Sequence, residues 1–319
     1  MLLGEHAVLD GNKSLICAIN KRIFVTLEPI ENSTSIIIES SIGSYHCQID
    51  AVDDDDRFIF LIEVIRSFVS QLNTGIHIKI DSEFSSAIGF GSSTAVTVAA
   101  YAAFYTYTNG HTPNPLNLYK AVIKIIRSIQ QWASGSDIAA SIYGGLINYS
   151  NLSNQFPINR KLESPNIEKI DNTFSLVAVY CGYKKATEEV IREVVLDYYN
   201  SDKDHLISVV FNEISNCVND GINAIRKNNL HALGSAMNTQ QYTMDSMGLN
   251  TPELEEICDI LQKDPDIYGA KISGSGLGDC IIAVGETSLW EKELNDLSIM
   301  YEKYPLYELK IDPIGLSME

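Results

Sequence analysis

Apolar residues along this chain are spaced by two in some stretches and by three or four in others, and the switches between these rhythms predict its elements. Residues 75–81 (GIHIKID) alternate strictly, the pattern of a strand with one buried face. Residues 14–27, rich in β-branched side chains and alternating in their second half, predict one or two strands, and shorter strands are expected at 35–40 and 45–49. The acidic run from Asp53 to Asp56 precedes an apolar-periodic segment, 58–72. Carboxylates favour the positive end of a helix, so the run predicts a helix start; a calcium loop would need spaced ligands and a closing Glu that are missing. A helix is expected from about Ser92, ended near Pro113 and Pro115, and a second over 116–131 with Leu118, Val122, Ile125, Ile126 and Ile129 on one face. Residues 134–146 form a glycine-punctuated stretch leading into a strand at 145–149, and the Asn-, Ser- and Pro-rich segment 148–172 predicts a connection between lobes. Beyond it are expected a strand at 175–180, helices between 187 and 263, a glycine turn at 274–278, a strand at 280–284, a helix near 288–301 and a last strand near 306–311. With strands and helices mixed in both halves and no internal repeat, the pattern predicts two α+β lobes, 1–155 and 156–319.

Composition narrows the function classes. A chain of 319 residues with 45% hydrophobic and 20% charged residues has ample material for a core without staples. Its 41 acids against 23 bases give a formal charge of −18, which repels nucleic acid and anionic lipid; neither is an expected partner. A small anionic substrate stays open, since a pocket can be locally basic or present backbone N–H groups. The six cysteines are far apart, without a C-x-x-C pair, and are expected to be reduced core residues. The first residues carry no basic n-region or apolar h-region, so a cytoplasmic protein is expected. The stretch 88–107 approaches the length of a membrane span, but the glycines and hydroxyl residues at one end fit a buried helix after a glycine loop better.

That loop, SSAIGFGSST (85–94), follows a predicted strand and opens a predicted helix. Glycines allow consecutive N–H groups to point one way, and the unpaired N–H groups of the new helix add a positive end, which suits phosphate. An ordinary helix cap is the alternative reading. No Gly-Lys dipeptide supplies a Walker lysine, and position 94 is not the Gly of a dinucleotide fingerprint. The segment KISGSGLGDC (271–280) carries three glycines and serines between two strand-like runs, read either as a hairpin turn or as a close approach of backbone to ligand. Asp137, in SGSDIAAS, is either a helix cap or a carboxylate able to accept a proton from a hydroxyl attacking a γ-phosphoryl group. The histidines show no metal-ligand spacing and no Gly-x-Ser-x-Gly elbow is present.

Taken in order, GEHAVLDG, IGFGSST and KISGSGLGDC resemble the three motifs of the galactokinase, homoserine kinase, mevalonate kinase and phosphomevalonate kinase (GHMP kinase) superfamily, and they span nearly the whole chain. The resemblance implies a two-lobed α+β fold, with a ribosomal-protein-S5-like N-terminal ATP-binding domain and a ferredoxin-like C-terminal domain, and ATP with Mg²⁺ as cofactors. It implies Asp137 as the catalytic base. Gly89, Gly91, Ser92, Ser93 and Thr94, with Gly274, Ser275, Gly276 and Gly278, would bind the nucleotide, and Ser93 would touch the metal. Glu5, His6 and Thr187 would face the substrate, a small alcohol or phosphorylated alcohol. A homodimer is left open.

Several positions depart from the superfamily's pattern. A Pro-Gly-Lys normally precedes Gly-Glu-His, its lysine assisting the aspartate, and this chain begins just after that point, which leaves either a start assigned downstream or a missing lysine. Ser85 stands where Pro is expected, Thr94 where Ala is common, and Ile126 where mevalonate kinases carry a magnesium-binding Glu. Glu5-His6 points to mevalonate as substrate, whereas SGSDIAASIYGG and Gly278-Asp279-Cys280 look more like phosphomevalonate kinases, for which Lys13, Lys21, Arg22 and Lys184 are candidate extra cations. The expected activity is ATP-dependent phosphorylation of mevalonate. Phosphomevalonate kinase and a catalytically impaired nucleotide-binding relative are the alternatives.

Overall fold

The computed structural model describes residues 1–85, 88–151, 165–196, 204–286 and 303–319. The helix expected near 288–301 and the lobe boundary expected at 155/156 lie outside the described residues. The chain divides into two compact units, one made of Met1–Asn20, Ala87–Gly89 and Gly144–Ile314, the other of Lys21–Ser86, Phe90–Tyr143 and Gly315–Glu319.

In the second of these units, β2 (Ile23–Ile30), β3 (Ser35–Ser40), β4 (Gly43–Gln48) and β5 (Gly75–Ser82) form a sheet in the order β2-β5-β3-β4, with β3 and β5 parallel and the other pairs antiparallel. The strict alternation of β5 does what its pattern predicts. Ile76 and Ile78 are buried, while His77 and Lys79 stand on the other face against Glu39 and Glu28. The inner face packs on α1 (Ile59–Phe68) and α2 (Ser92–Asn109) through Leu61, Ile62, Ile65, Phe68, Ala100 and Phe104, with the Phe68 and Phe104 rings stacked at 5.7 Å. Each large side chain buried here stabilises the unit by about 1.5–3 kcal/mol. Then come α3 (Pro115–Ile129), capped by the Asn114 side chain with Pro115 at its first position, and α4 (Ser136–Tyr143).

The acidic run does not open a helix. α1 begins only at Ile59, with no acid in its first turn; two of the four carboxylates are paired with arginines instead, Asp55 with Arg57 at 2.6 Å and Asp54 with Arg66 at 2.8 Å.

The other unit holds two sheets. In one, β1 (Ser14–Cys17), β6 (Leu146–Ser150) and β7 (Asn166–Ile170) run antiparallel, so the apolar stretch 14–27 is indeed broken into two strands, β1 here and β2 elsewhere. In the other, β8 (Ser175–Tyr180), β9 (Ile267–Ser273), β10 (Cys280–Gly285) and β11 (Leu306–Lys310) are antiparallel in the order β11-β8-β10-β9. The helix Leu230–Ser246 lies against β9 so closely that a Cβ added at Gly234 would come within 2.3 Å of the Tyr268 backbone. Only glycine permits that contact.

All six cysteines are free. Burial pushes the Cys17 thiol up to about 11 and that of Cys258 to about 12. Among the described residues no helix is long and apolar enough to cross a membrane.

Candidate active site

The loop ahead of α2 is built by two glycines with different tasks. Gly91 caps the helix with a φ of 79°, a left-handed conformation; among the described residues nothing approaches its missing Cβ and no side chain caps the helix. The N–H groups of Ser92, Ser93 and Thr94 sit in the first turn, where no carbonyl lies one turn back. The hydroxyls of Ser92 and Ser93 make no hydrogen bond among the described residues. Gly89 is bare for another reason. A Cβ there would lie 1.8 Å from Asp279 Oδ1, so the carboxylate of Asp279 takes the room a side chain would need.

Thr94, the third residue of α2, is 5% exposed and donates its hydroxyl to Asp137 Oδ2 at 2.5 Å. Asp137 lies inside the first turn of α4 rather than ahead of it, half-buried, and its Oδ1 accepts the Ile138 N–H at 3.0 Å. The first turns of two helices therefore meet at one carboxylate. Their N-terminal dipoles both favour negative charge there, whether carboxylate or phosphate. Ile126 is a core residue of α3, 2% exposed. Among the described residues no group of three His, Cys, Asp or Glu side chains is placed to hold a metal.

In the other unit, Glu5 and His6 are both buried and both bonded to protein. Glu5 Oε1 receives the Lys271 ammonium at 2.6 Å, and its Oε2 receives Gln240 Nε2 at 2.5 Å; Gln240 in turn accepts the Gly4 N–H at 3.0 Å. Lys271 is fully buried. Burial pushes its ammonium down and Glu5 opposes that shift. His6 adopts a left-handed φ of 63°, and burial lowers its ring below the ordinary value, which favours the neutral form. Since its Nε2 faces the Ser275 carbonyl at 2.9 Å, Nε2 carries the proton and Nδ1 is left as an acceptor.

Gly274, Gly276 and Gly278 all have positive φ, as do Leu277 and Asp279. The glycines are also required by protein neighbours: a Cβ at Gly276 would meet the Leu249 carbonyl at 2.7 Å, and one at Gly278 the Tyr183 ring at 3.0 Å. Thr187 is exposed at the start of the helical segment Thr187–Val190 and bonds none of the other candidates among the described residues. Of the candidate extra cations, Lys13 donates to Asn219 at 3.4 Å and Arg22 to the Gly315 carbonyl at 3.2 Å; Lys184 is exposed.

Residues 60–145 match the GHMP kinases N terminal domain and residues 222–303 match GHMP kinases C terminal. Mevalonate kinase of Saccharolobus solfataricus is 30% identical over 293 residues, 89% of this chain and 86% of that protein. This chain belongs to the GHMP kinase family. Its fold is that of solved members. The structure of L. major mevalonate kinase in complex with R-mevalonate superposes with a TM-score of 0.78 at 18% identity, over 99% of this chain and 94% of that one. Streptococcus pneumoniae phosphomevalonate kinase in complex with phosphomevalonate and AMPPNP gives 0.76 at 16% identity, over 97% of each. This GHMP kinase is thus an enzyme that transfers a phosphoryl group, and its family implies ATP as the donor.

The N-terminal match contains the glycine loop and Asp137, and the C-terminal match contains Gly274 to Gly278; Glu5, His6 and Thr187 lie outside both. The structure also places Lys271 and Gln240, neither of them a candidate from the sequence, against Glu5, and Asp279, which the sequence offers only as part of a motif ending, against Gly89. A lysine between Ala270 and Ile272 in a strand of small and apolar residues is the one signal that could have flagged the first.

Asp279 of this GHMP kinase lends itself to a pH test. It is 6% exposed, its Oδ1 has no hydrogen-bond partner among the described residues, and burial raises its carboxyl above the ordinary 3.8, with Lys184 opposing. A raised acid binds its proton more tightly folded than unfolded, so the folded state loses stability as pH climbs above 3.8 through the raised value. Asp279→Asn, uncharged at every pH, is expected to melt a few degrees higher than wild type near neutral pH. The gain should fade as the buffer is acidified toward the ordinary aspartate value; thermal melts across that range check it, and a gain that grows in acid would reverse the sign of the argument.

Proposed function

We propose that this GHMP kinase phosphorylates the hydroxyl group of mevalonate in the cytoplasm, with ATP as donor and Mg²⁺ as its companion ion. The substrate assignment rests on the 30% identity to a mevalonate kinase over 89% of the chain. The chemistry rests on one observation, the Asp137 carboxylate held by Thr94 against the first turn of α2. In this reading Asp137 accepts the proton of the substrate hydroxyl as its oxygen bonds the γ-phosphorus; the bond from that phosphorus to the bridging oxygen breaks, and ADP leaves with the electron pair. The N–H groups of Ser92, Ser93 and Thr94 hold phosphate oxygens, aided by the dipole of α2. The hydroxyl of Ser93, without a hydrogen bond among the described residues, fits a Mg²⁺ ligand alongside phosphate oxygens, and the ion would supply neutralisation of the phosphate charge. Gly89, Gly91 and the loop 274–278 contribute to nucleotide binding. His6 and Thr187 serve the substrate, and Glu5 fixes the segment that carries His6.

Coupled measurement of ADP release with mevalonate, phosphomevalonate, homoserine and galactose tests the reading. Mevalonate is expected to give a kcat/KM at least tenfold above the other three. Preference for phosphomevalonate would transfer the assignment to that substrate, and ATP binding without ADP release under any of the four would mark a nucleotide-binding relative.

A further inference from the structure

α2 contains three threonines whose hydroxyl bonds are defined, and they divide into two kinds. Thr97 returns its hydroxyl to the Ser93 carbonyl at 2.6 Å and Thr108 to the Phe104 carbonyl at 3.0 Å, the usual local bond of a helical threonine. Thr94 does not. Its hydroxyl leaves the helix and reaches Asp137 on α4, 43 residues away in sequence. Among the described residues, Thr94 is the side chain that bonds this carboxylate; the other bond, from the Ile138 N–H, comes from the backbone. Each carboxylate oxygen accepts two hydrogen bonds, so both are partly engaged and each retains one acceptor site. A carboxylate tied at both oxygens cannot rotate freely about its χ2 angle, a torsion that is otherwise broad.

We propose that Thr94 is the positioning residue of Asp137: its hydroxyl fixes the carboxylate in the rotation that leaves an acceptor site for the proton of the substrate hydroxyl. The inference rests on the reading of Asp137 as the base. Thr94 keeps its own proton throughout and touches neither substrate nor phosphate through its hydroxyl. Its side chain is suited to the task because a β-branched residue in a helix has few rotamers and because Thr94 itself is buried.

Thr94→Val keeps the shape and deletes the hydroxyl, and Thr94→Ser keeps the hydroxyl and deletes the methyl. The valine variant is expected to lose roughly 10- to 100-fold in kcat, the factor that a hydrogen bond to a charged group is worth, with the KM for ATP unchanged. The serine variant is expected to recover most of that loss. A valine variant with wild-type kcat, a serine variant as slow as valine, or a loss carried by KM for ATP would each overturn the proposal. Thr94→Ala, measured in parallel, gives the same comparison with serine if valine does not fold. Asp137→Asn, assayed beside them, separates the two readings: wild-type turnover there removes the base, whereas an inactive Asp137→Asn with a fully active Thr94→Val removes only the role of Thr94.

Discussion

Asp137→Asn is expected to lower kcat by about 10²- to 10⁴-fold, the usual contribution of a positioned general base, while ATP binding and thermal stability stay near wild type. The amide is isosteric with the carboxylate: its oxygen still accepts the Ile138 N–H, and its NH2 donates to the Thr94 hydroxyl oxygen, which rotates its own proton away. Local packing of α4 against α2 is therefore kept. What the amide lacks is the basicity needed to take a proton from an alcohol as the new P–O bond forms. Steady-state ADP release, together with calorimetric binding of ATP, checks both halves. Turnover within about twofold of wild type would remove Asp137 from the chemistry and leave it a structural tie between two helices.

Lys271→Met is expected to cost about 3–5 kcal/mol of stability, the penalty for leaving one member of a buried ion pair unpaired. Glu5 is 3% exposed and Lys271 fully buried, so neither charge has water to fall back on once its partner is gone. The damage should spread. Glu5 also receives Gln240, which holds the Gly4 N–H, so the stranded carboxylate disturbs the anchor of the segment that presents His6. Neutralising both members, as in Lys271→Met with Glu5→Gln, is expected to recover most of the loss, because a buried pair contributes little net stability beyond its mutual compensation. Urea unfolding of the two variants and wild type measures this. A loss below about 1 kcal/mol for Lys271→Met would mean that the pair is not ionised within the folded chain.

The fold was legible wherever a local rhythm carried the information. β5 declared itself by strict alternation, α3 by its single apolar face and its proline-led start, and the loop before α2 by small residues that only a tight helix entry requires. The acidic run from Asp53 to Asp56 misled for a physical reason: the dipole preference of carboxylates is worth only a few tenths of a kcal/mol to one, and exposed arginine pairs of similar worth hold Asp55 and Asp54 instead. At the candidate site the sequence exposed the residues lying next to one another in the chain. Contacts between residues far apart stayed hidden, among them Lys271 with Glu5 and Asp279 with Gly89, because nothing local marks a strand lysine as inward-facing or a turn aspartate as filling a glycine's empty side. The glycines of 274–278 carried a mixed message, since the same absence of side chains that suits a ligand is used here against Leu249 and Tyr183.

The free thiols carry one more consequence. Cys47 lies in β4, Cys181 just past the end of β8, Cys280 at the start of β10, and Cys217 and Cys258 in helices; all five are buried, with their ionisation suppressed. An alkylating reagent needs an accessible thiolate, so it meets these sulfurs only when the surrounding piece of chain opens. The wild-type protein thus carries five native reporters, and the rate at which each is alkylated reads how often that part of the molecule comes apart.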